Sequence, residues 1–295
     1  MATAGLPIPF LAWAFAAGSA VGSFLNVVIA RVPAGESVVH PRSRCPACRT
    51  PIAWYDNLPV LSWLLLRGRC RGCRTRISFR YPMVEVLGGA AALVAVSRHG
   101  FSMAALAEFA FVATLLALSF IDLDTWLLPH VITVPLLVAG LALSALHLTA
   151  APFFLSSAGG AAAGWLSFAA ISVVGEKLLK KEALGFGDVW LLGGLGAWLG
   201  LAGLLPVILL ASIQGTVVGL ALIALGRGQP GPAEPPVQVE TPLQPPAALA
   251  PEPDADWVPP RNAVPFGPFL AAGALEWLWL QGWLAQVVPA LSLFR

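Results

Sequence analysis

GFGDVWLLGGLGAWLG, residues 185–200, sets one carboxylate, Asp188, between a glycine pair and a long apolar run. A run of this kind is the signature of a helix in hydrocarbon, where an ionisable side chain is expensive and therefore marks a functional position. Working outward, similar apolar stretches recur over most of the 295 residues. The chain is 58% hydrophobic and only 11% charged, with a mean hydropathy of +0.79. A soluble domain carries about a quarter charged residues, so that class is excluded.

The periodicity and length of these stretches predict about eight transmembrane helices in an all-α polytopic membrane protein. They fall near residues 7–30, 82–98, 102–121, 129–149, 152–175, 188–202, 203–226 and 265–291. The N-terminal stretch has no basic region ahead of it, and its first positive charge is Arg31, so it reads as an anchor and not as a cleaved leader. Five segments follow: a first helix over 1–31, a basic loop over 32–81, a membrane core over 82–227, a linker over 228–262 and a last helix over 263–295. The linker contains eleven prolines and reads as an extended tether. No internal repeat is expected.

Ten of the seventeen basic residues lie between Arg31 and Arg80, against two acids, Glu36 and Asp56. The positive-inside rule places this loop in the cytoplasm. Its charge reads as a topology signal with contact to anionic lipid, and not as a nucleic-acid surface. Counting helices from there puts 121–129, 176–188 and 227–264 inside, and 98–102 and the region near 150 outside. Lys177, Lys180 and Lys181 agree with that count at an independent point.

All four cysteines lie in the basic loop, as Cys45-Pro-Ala-Cys48 and Cys70-Arg-Gly-Cys73 with 21 residues between the pairs. Two matched hooks resemble a zinc ribbon, and four thiolates make a closed structural site. Disulfides and a redox-active pair are the rival readings, the first disfavoured in a reducing compartment. Neighbouring arginines are expected to favour the thiolates. Such a loop has little apolar core, so metal would contribute much of its folding free energy.

Six acids lie in or beside the apolar stretches: Glu85, Glu108, Asp122, Asp124, Asp188 and Glu276. Glu85 is placed to pair with an arginine, Glu108 to be hydrated at an outer helix end, and Glu276 to hydrogen-bond within the bundle. Asp122 and Asp188 are 66 positions apart, yet the helix count puts both at the cytoplasmic face. If their helices are neighbours, the two carboxyls share a proton. One can then act as base on a water while the other protonates a carbonyl oxygen. That is aspartyl-protease chemistry; a proton-relay pair in a transporter is the alternative. Gly185 and Gly187 are expected to give the backbone conformational freedom around Asp188.

In order along the chain, GSFLNVVIARVP (22–33), the two cysteine hooks with WYDNLPVLSWLLLRGRC between them, ISFRYPMVEVLGG (77–89), IDLDTWLLP (121–129), GFGD (185–188) and PFGPFLAAG (265–273) resemble the prepilin peptidases of type IV pilus and type II secretion systems. These belong to the wider GxGD group of membrane aspartyl proteases. The resemblance implies an inner-membrane enzyme that cleaves prepilin and pseudopilin leaders after a glycine at the cytoplasmic face. It carries the two catalytic roles onto Asp122 and Asp188, and leaves Asp124 at a position that varies. It also implies methylation of the new N-terminus with S-adenosylmethionine, for which Glu85, Gly68 and Arg69 are candidates. His130 stands where an acid or asparagine is common, Arg69 where lysine is frequent, and the linker is long. A zinc-bearing scaffold or a proton-coupled transporter is the alternative function.

Overall fold

The computed structural model describes residues 6–179, 185–225 and 264–288. Lys180, Lys181 and the linker 228–262 lie outside them. Among the described residues the regular structure is helical throughout: α1 (Ile8–Arg31), α2 (Leu61–Leu65), α3 (Arg80–His99), α4 (Met103–Thr125), α5 (His130–Ser144), α6 (Phe154–Leu179), α7 (Phe186–Leu199), α8 (Leu201–Ala224) and α9 (Gly267–Val287), with a 3-10 turn at Trp54–Asn57. Each apolar stretch predicted from sequence is a helix, and α2 is an addition inside the cysteine loop. Four of the helices, α1, α4, α6 and α8, are long and apolar enough to cross a membrane, while α5 and α7 are apolar but shorter. Large apolar side chains such as Leu155, Leu166 and Val131 point outward. Water would penalise that surface and hydrocarbon would not.

Contacts gather Met1–Ala211 with Pro265–Arg295 in one unit; Ser212–Val264 form a second, which holds the end of α8. Within the first unit, packing follows the small residues. Without water to drive helices together in a bilayer, close backbone approach through glycine supplies the attraction. A Cβ on Gly22 of α1 would stand 2.7 Å from Glu85 Cα and 2.8 Å from the Val84 carbonyl of α3. Gly18 meets Gly88 in the same crossing. Gly160 and Gly164 of α6 do the same against the α7 backbone at Gly196 and Leu192.

The central core is built from Phe111, Leu115 and Leu118 of α4, Leu191, Leu195 and Trp198 of α7, and Leu270, Ala274 and Trp277 of α9. The helices bearing the two aspartates, α4 and α7, meet here through side chains. The Phe111 and Trp198 rings stack at 4.7 Å, and each helix also packs against α5 and α9. Trp198 is held by a hydrogen bond from its Nε1 to the Leu136 carbonyl of α5, 2.8 Å.

Gly22→Val is expected to destabilise the α1–α3 crossing by roughly 1–3 kcal/mol, the usual range for overpacking. Thermal unfolding in detergent should show a lower midpoint. An unchanged midpoint would mean that the crossing does not depend on this close approach.

Candidate active site and metal centre

Helix α4 stops abruptly just beyond Asp122. Trp126 adopts the left-handed conformation (φ 57°), which ends the helix, and its N–H bonds the Asp122 carbonyl at 2.9 Å. The extended stretch to Pro129 then leads into α5. This turn brings buried Leu128 between the first turns of α7 and α9. A Cβ on Gly187 would lie 2.6 Å from Leu128 Cβ, and one on Gly267 would lie 3.4 Å from Leu128 Cδ1.

Asp122 is 5% exposed, and its Oδ2 accepts the N–H of Gly267, 3.0 Å away. Gly267 is the first residue of α9, so the carboxylate also sits at the positive end of a helix dipole. A Cβ there would come within 2.5 Å of Asp122 Oδ2, so the position needs glycine. Asp188 stands in the first turn of α7. Its Oδ1 is buried and has no hydrogen-bond partner among the described residues. Leu128 touches both Gly187, beside Asp188, and Gly267, whose N–H holds Asp122, so the two carboxyls belong to one cluster of helix ends. The structure therefore brings together two carboxyls that the helix count had placed at one depth.

The glycines around Asp188 work differently from the sequence expectation. Gly185 has φ −62°, ordinary for any residue, and Gly187 lies in regular helix. Neither is conformationally special. Gly187 is small because Leu128 presses on it, and a Cβ on Gly185 would only touch Asp188 Oδ2 at 3.6 Å.

Asp124, two residues on, is exposed and paired with Arg80 of α3, whose guanidinium also lies over the Phe120 ring at 5.2 Å. That pair ties the exit of the cysteine loop to the end of α4. His130 is exposed and packs on Phe186 and Trp190, 6.1 Å between ring centroids in each case. Those rings occupy the face of α7 opposite Asp188, since 186 and 190 share a face and 188 does not.

Glu85 finds a backbone partner in place of an arginine: its Oε2 accepts the Val60 N–H at 2.7 Å, pinning the start of α2. Gly68 (φ 64°) lies against the Trp63 ring, where a Cβ would come within 2.9 Å. Arg69 is exposed and bridges Arg76 through its backbone. Glu108 is buried, not hydrated, and accepts hydrogen bonds from Arg98, His99 and Trp279.

Contrary to the sequence expectation, the cysteine loop contains a short internal repeat. RCPACRTPI (44–52) and RCRGCRTRI (69–77) agree at six of nine positions. They fold alike: Cys45 N–H bonds Thr50 O at 3.0 Å and Cys70 N–H bonds Thr75 O at 2.9 Å, while Ile52 and Ile77 close each loop onto Ser43 and Gly68. Arg49 and Arg74 both take positive φ, 56° and 60°. The four sulfurs lie within 4.8 Å of one another, with Cys45–Cys73 at 3.8 Å and Cys48–Cys70 at 3.9 Å, and none is disulfide-bonded. Four sulfurs about 2.3 Å from a tetrahedral zinc stand about 3.8 Å apart. The donor set thus fits zinc. No other group of metal-ligating side chains converges among the described residues. Threonine and backbone donors, not arginines, favour two of the thiolates: Thr75 pulls Cys73 down to about 6 and Thr50 lowers Cys48, whereas the Cys45 thiol is raised.

Residues 16–99 match the bacterial peptidase A24 N-terminal domain, and residues 109–220 match the type IV leader peptidase family. A prepilin leader peptidase/N-methyltransferase of Myxococcus xanthus is 45% identical, over 95% of this chain and 93% of its own length. Proteins with the same name from Burkholderia pseudomallei and Aeromonas hydrophila are each 38% identical, over 89% and 75% of this chain and 83% and 84% of theirs. No solved structure matches.

Elemental analysis of the purified protein is expected to find about one zinc per chain, and a strong chelator to remove it with loss of thermal stability, because a closed tetrathiolate site contributes folding free energy. Zinc-free protein with two disulfides would refute the metal centre.

Proposed function

The chain belongs to the type IV leader peptidase family, and from that footing we propose that it is a membrane aspartyl endopeptidase cleaving the leaders of prepilins and pseudopilins. The observation that carries the reading is the pair of carboxyls from α4 and α7: Asp122, buried on the Gly267 amide, and Asp188, whose buried Oδ1 has no hydrogen-bond partner among the described residues. A scaffold would have no use for that pair, and a transporter would place acids nearer the bilayer midplane.

The proposed roles follow from their partners. Asp122 already accepts the Gly267 N–H, which suits an ionised carboxylate. It takes the proton from the attacking water. Asp188, next to that charge, carries the shared proton and passes it to the oxygen of the scissile carbonyl. The resulting gem-diol collapses by breaking the C–N bond as the leaving amine picks up a proton. Burial against Leu128 and the apolar core keeps the local dielectric low, so each charge acts strongly.

In this reading eight helices, α1 and α3–α9, cross the inner membrane, the shorter α5 and α7 included, with the aspartates and the cysteine loop at the cytoplasmic side. The loop carries structural zinc on Cys45, Cys48, Cys70 and Cys73. The domain plan remains 1–31, 32–81, 82–227, 228–262 and 263–295. Methylation of the new N-terminus is proposed as a second activity, with S-adenosylmethionine supplying an electrophilic methyl group when bound. A cavity of about 370 Å³ between the end of α1 and the loop, bounded by Phe24, Arg42, Trp54 and Asn57, has room for a nucleoside-sized group. Trp54 would take its base and Arg42 its carboxylate. Glu85, Gly68 and Arg69 would serve this region by shaping the loop.

Asp122→Asn and Asp188→Asn are each expected to lower prepilin cleavage by about a thousandfold or more while leaving the thermal midpoint near wild type. The double variant should be no slower than the worse single one, because groups acting as a unit are non-additive. Cleavage at a normal rate by either single variant would remove the pair from the mechanism.

A further inference from the structure

The network around Glu108 lies far from the aspartates, and the proposed mechanism does not use it. Glu108 sits in the second turn of α4, fourteen residues before Asp122, or about 21 Å along the helix. Its carboxylate is 7% exposed and accepts from His99 Nε2 at 2.7 Å, Trp279 Nε1 at 2.9 Å and Arg98 Nε at 3.2 Å. Arg98 also donates to the Leu278 carbonyl at 3.2 Å. Three helices meet at this one carboxylate: α3, α4 and α9.

Helix α9 is therefore tied to α4 at two heights. At one end Gly267 N–H reaches Asp122, and at the other Trp279 Nε1–H reaches Glu108. The two donors are twelve residues apart on α9, about 18 Å of rise, against about 21 Å on α4. Between the ties the contact is apolar and made partly of small side chains, with Leu270, Ala271 and Ala274 in one core cluster with Phe111, Leu115 and Leu118. Such a seam resists separation but tolerates sliding. A slip of one residue moves a helix about 1.5 Å along its axis. The Gly267–Asp122 bond, at 3.0 Å, would not survive it. A buried polar group is a known means of fixing register where apolar contacts leave it loose.

We propose that Glu108, through Trp279 and Arg98, is a positioning residue: it sets the axial register of α9 on α4 and so holds the Gly267 N–H on the catalytic Asp122. This rests on the peptidase reading above.

The test uses full-length protein in detergent or nanodiscs, with a purified prepilin as substrate. Wild type is assayed first; its failure to cleave would sink the peptidase reading and leave the register claim to be judged by structure. With wild type active, Glu108→Ala and Trp279→Phe are each expected to lower kcat about 10–100-fold with KM unchanged, the scale of a misplacement near 1 Å. Glu108→Gln keeps an acceptor for the indole N–H and should recover most of the rate. The loss in Glu108→Ala should not multiply with that in Gly267→Ala, since both act on one hydrogen bond. A folded Glu108→Ala protein with wild-type kcat, a loss in thermal midpoint alone, or fully multiplicative losses would each overturn the proposal.

Discussion

The hydrogen bond from Gly267 N–H to Asp122 Oδ2 joins the start of α9 to the α4 end that bears the first aspartate. It satisfies one carboxyl oxygen in an environment where an unpaired polar group is costly. It uses one of the amide groups that every helix leaves unpaired at its N-terminus. It also requires a glycine, and that glycine brings α9 against Leu128. Leu128 in turn presses on Gly187 and so locates the turn of α7 that bears Asp188. One short contact thus fixes the mutual placement of three helix ends.

The cysteine loop is attached to the same frame by separate means. Arg80 pairs with Asp124, so the loop's exit is held beside the end of α4. Glu85 holds Val60 at the start of α2, and Asp56 pairs with Arg71 of the second knuckle. Two nine-residue knuckles with the same internal hydrogen bonds converge their sulfurs. With few large apolar groups available, cross-links of this kind take the place of a core.

Helix existence was legible because a run of about 20 apolar residues has few alternatives. Asp122 and Asp188 were legible because a carboxylate beside such a run stands out, and counting helices put both on one side. Gly267 was not. A G-P pair at a helix start looks like ordinary helix initiation, and only the fold reveals which carboxylate lies over its N–H. Glu108 was misjudged for a related reason. Its donors, Arg98 and Trp279, lie on other helices, and Trp279 is 171 residues away, so nothing local marks it as buried and satisfied. The knuckle repeat is written in RCxxCRTxI, but nine residues with six matches are too short to stand out as a repeat until the shared hydrogen bonds are seen.

The central claim is that the two carboxyls work as one unit holding one proton. The pH dependence of kcat under saturating prepilin tests it most directly, because it reports ionisations in the enzyme–substrate complex. The account predicts a bell: activity falls on the acid side as the base takes up a proton, and on the alkaline side as the shared proton is lost. A profile that rises to a plateau with no alkaline limb would mean that a single carboxylate carries the reaction, and would contradict the account.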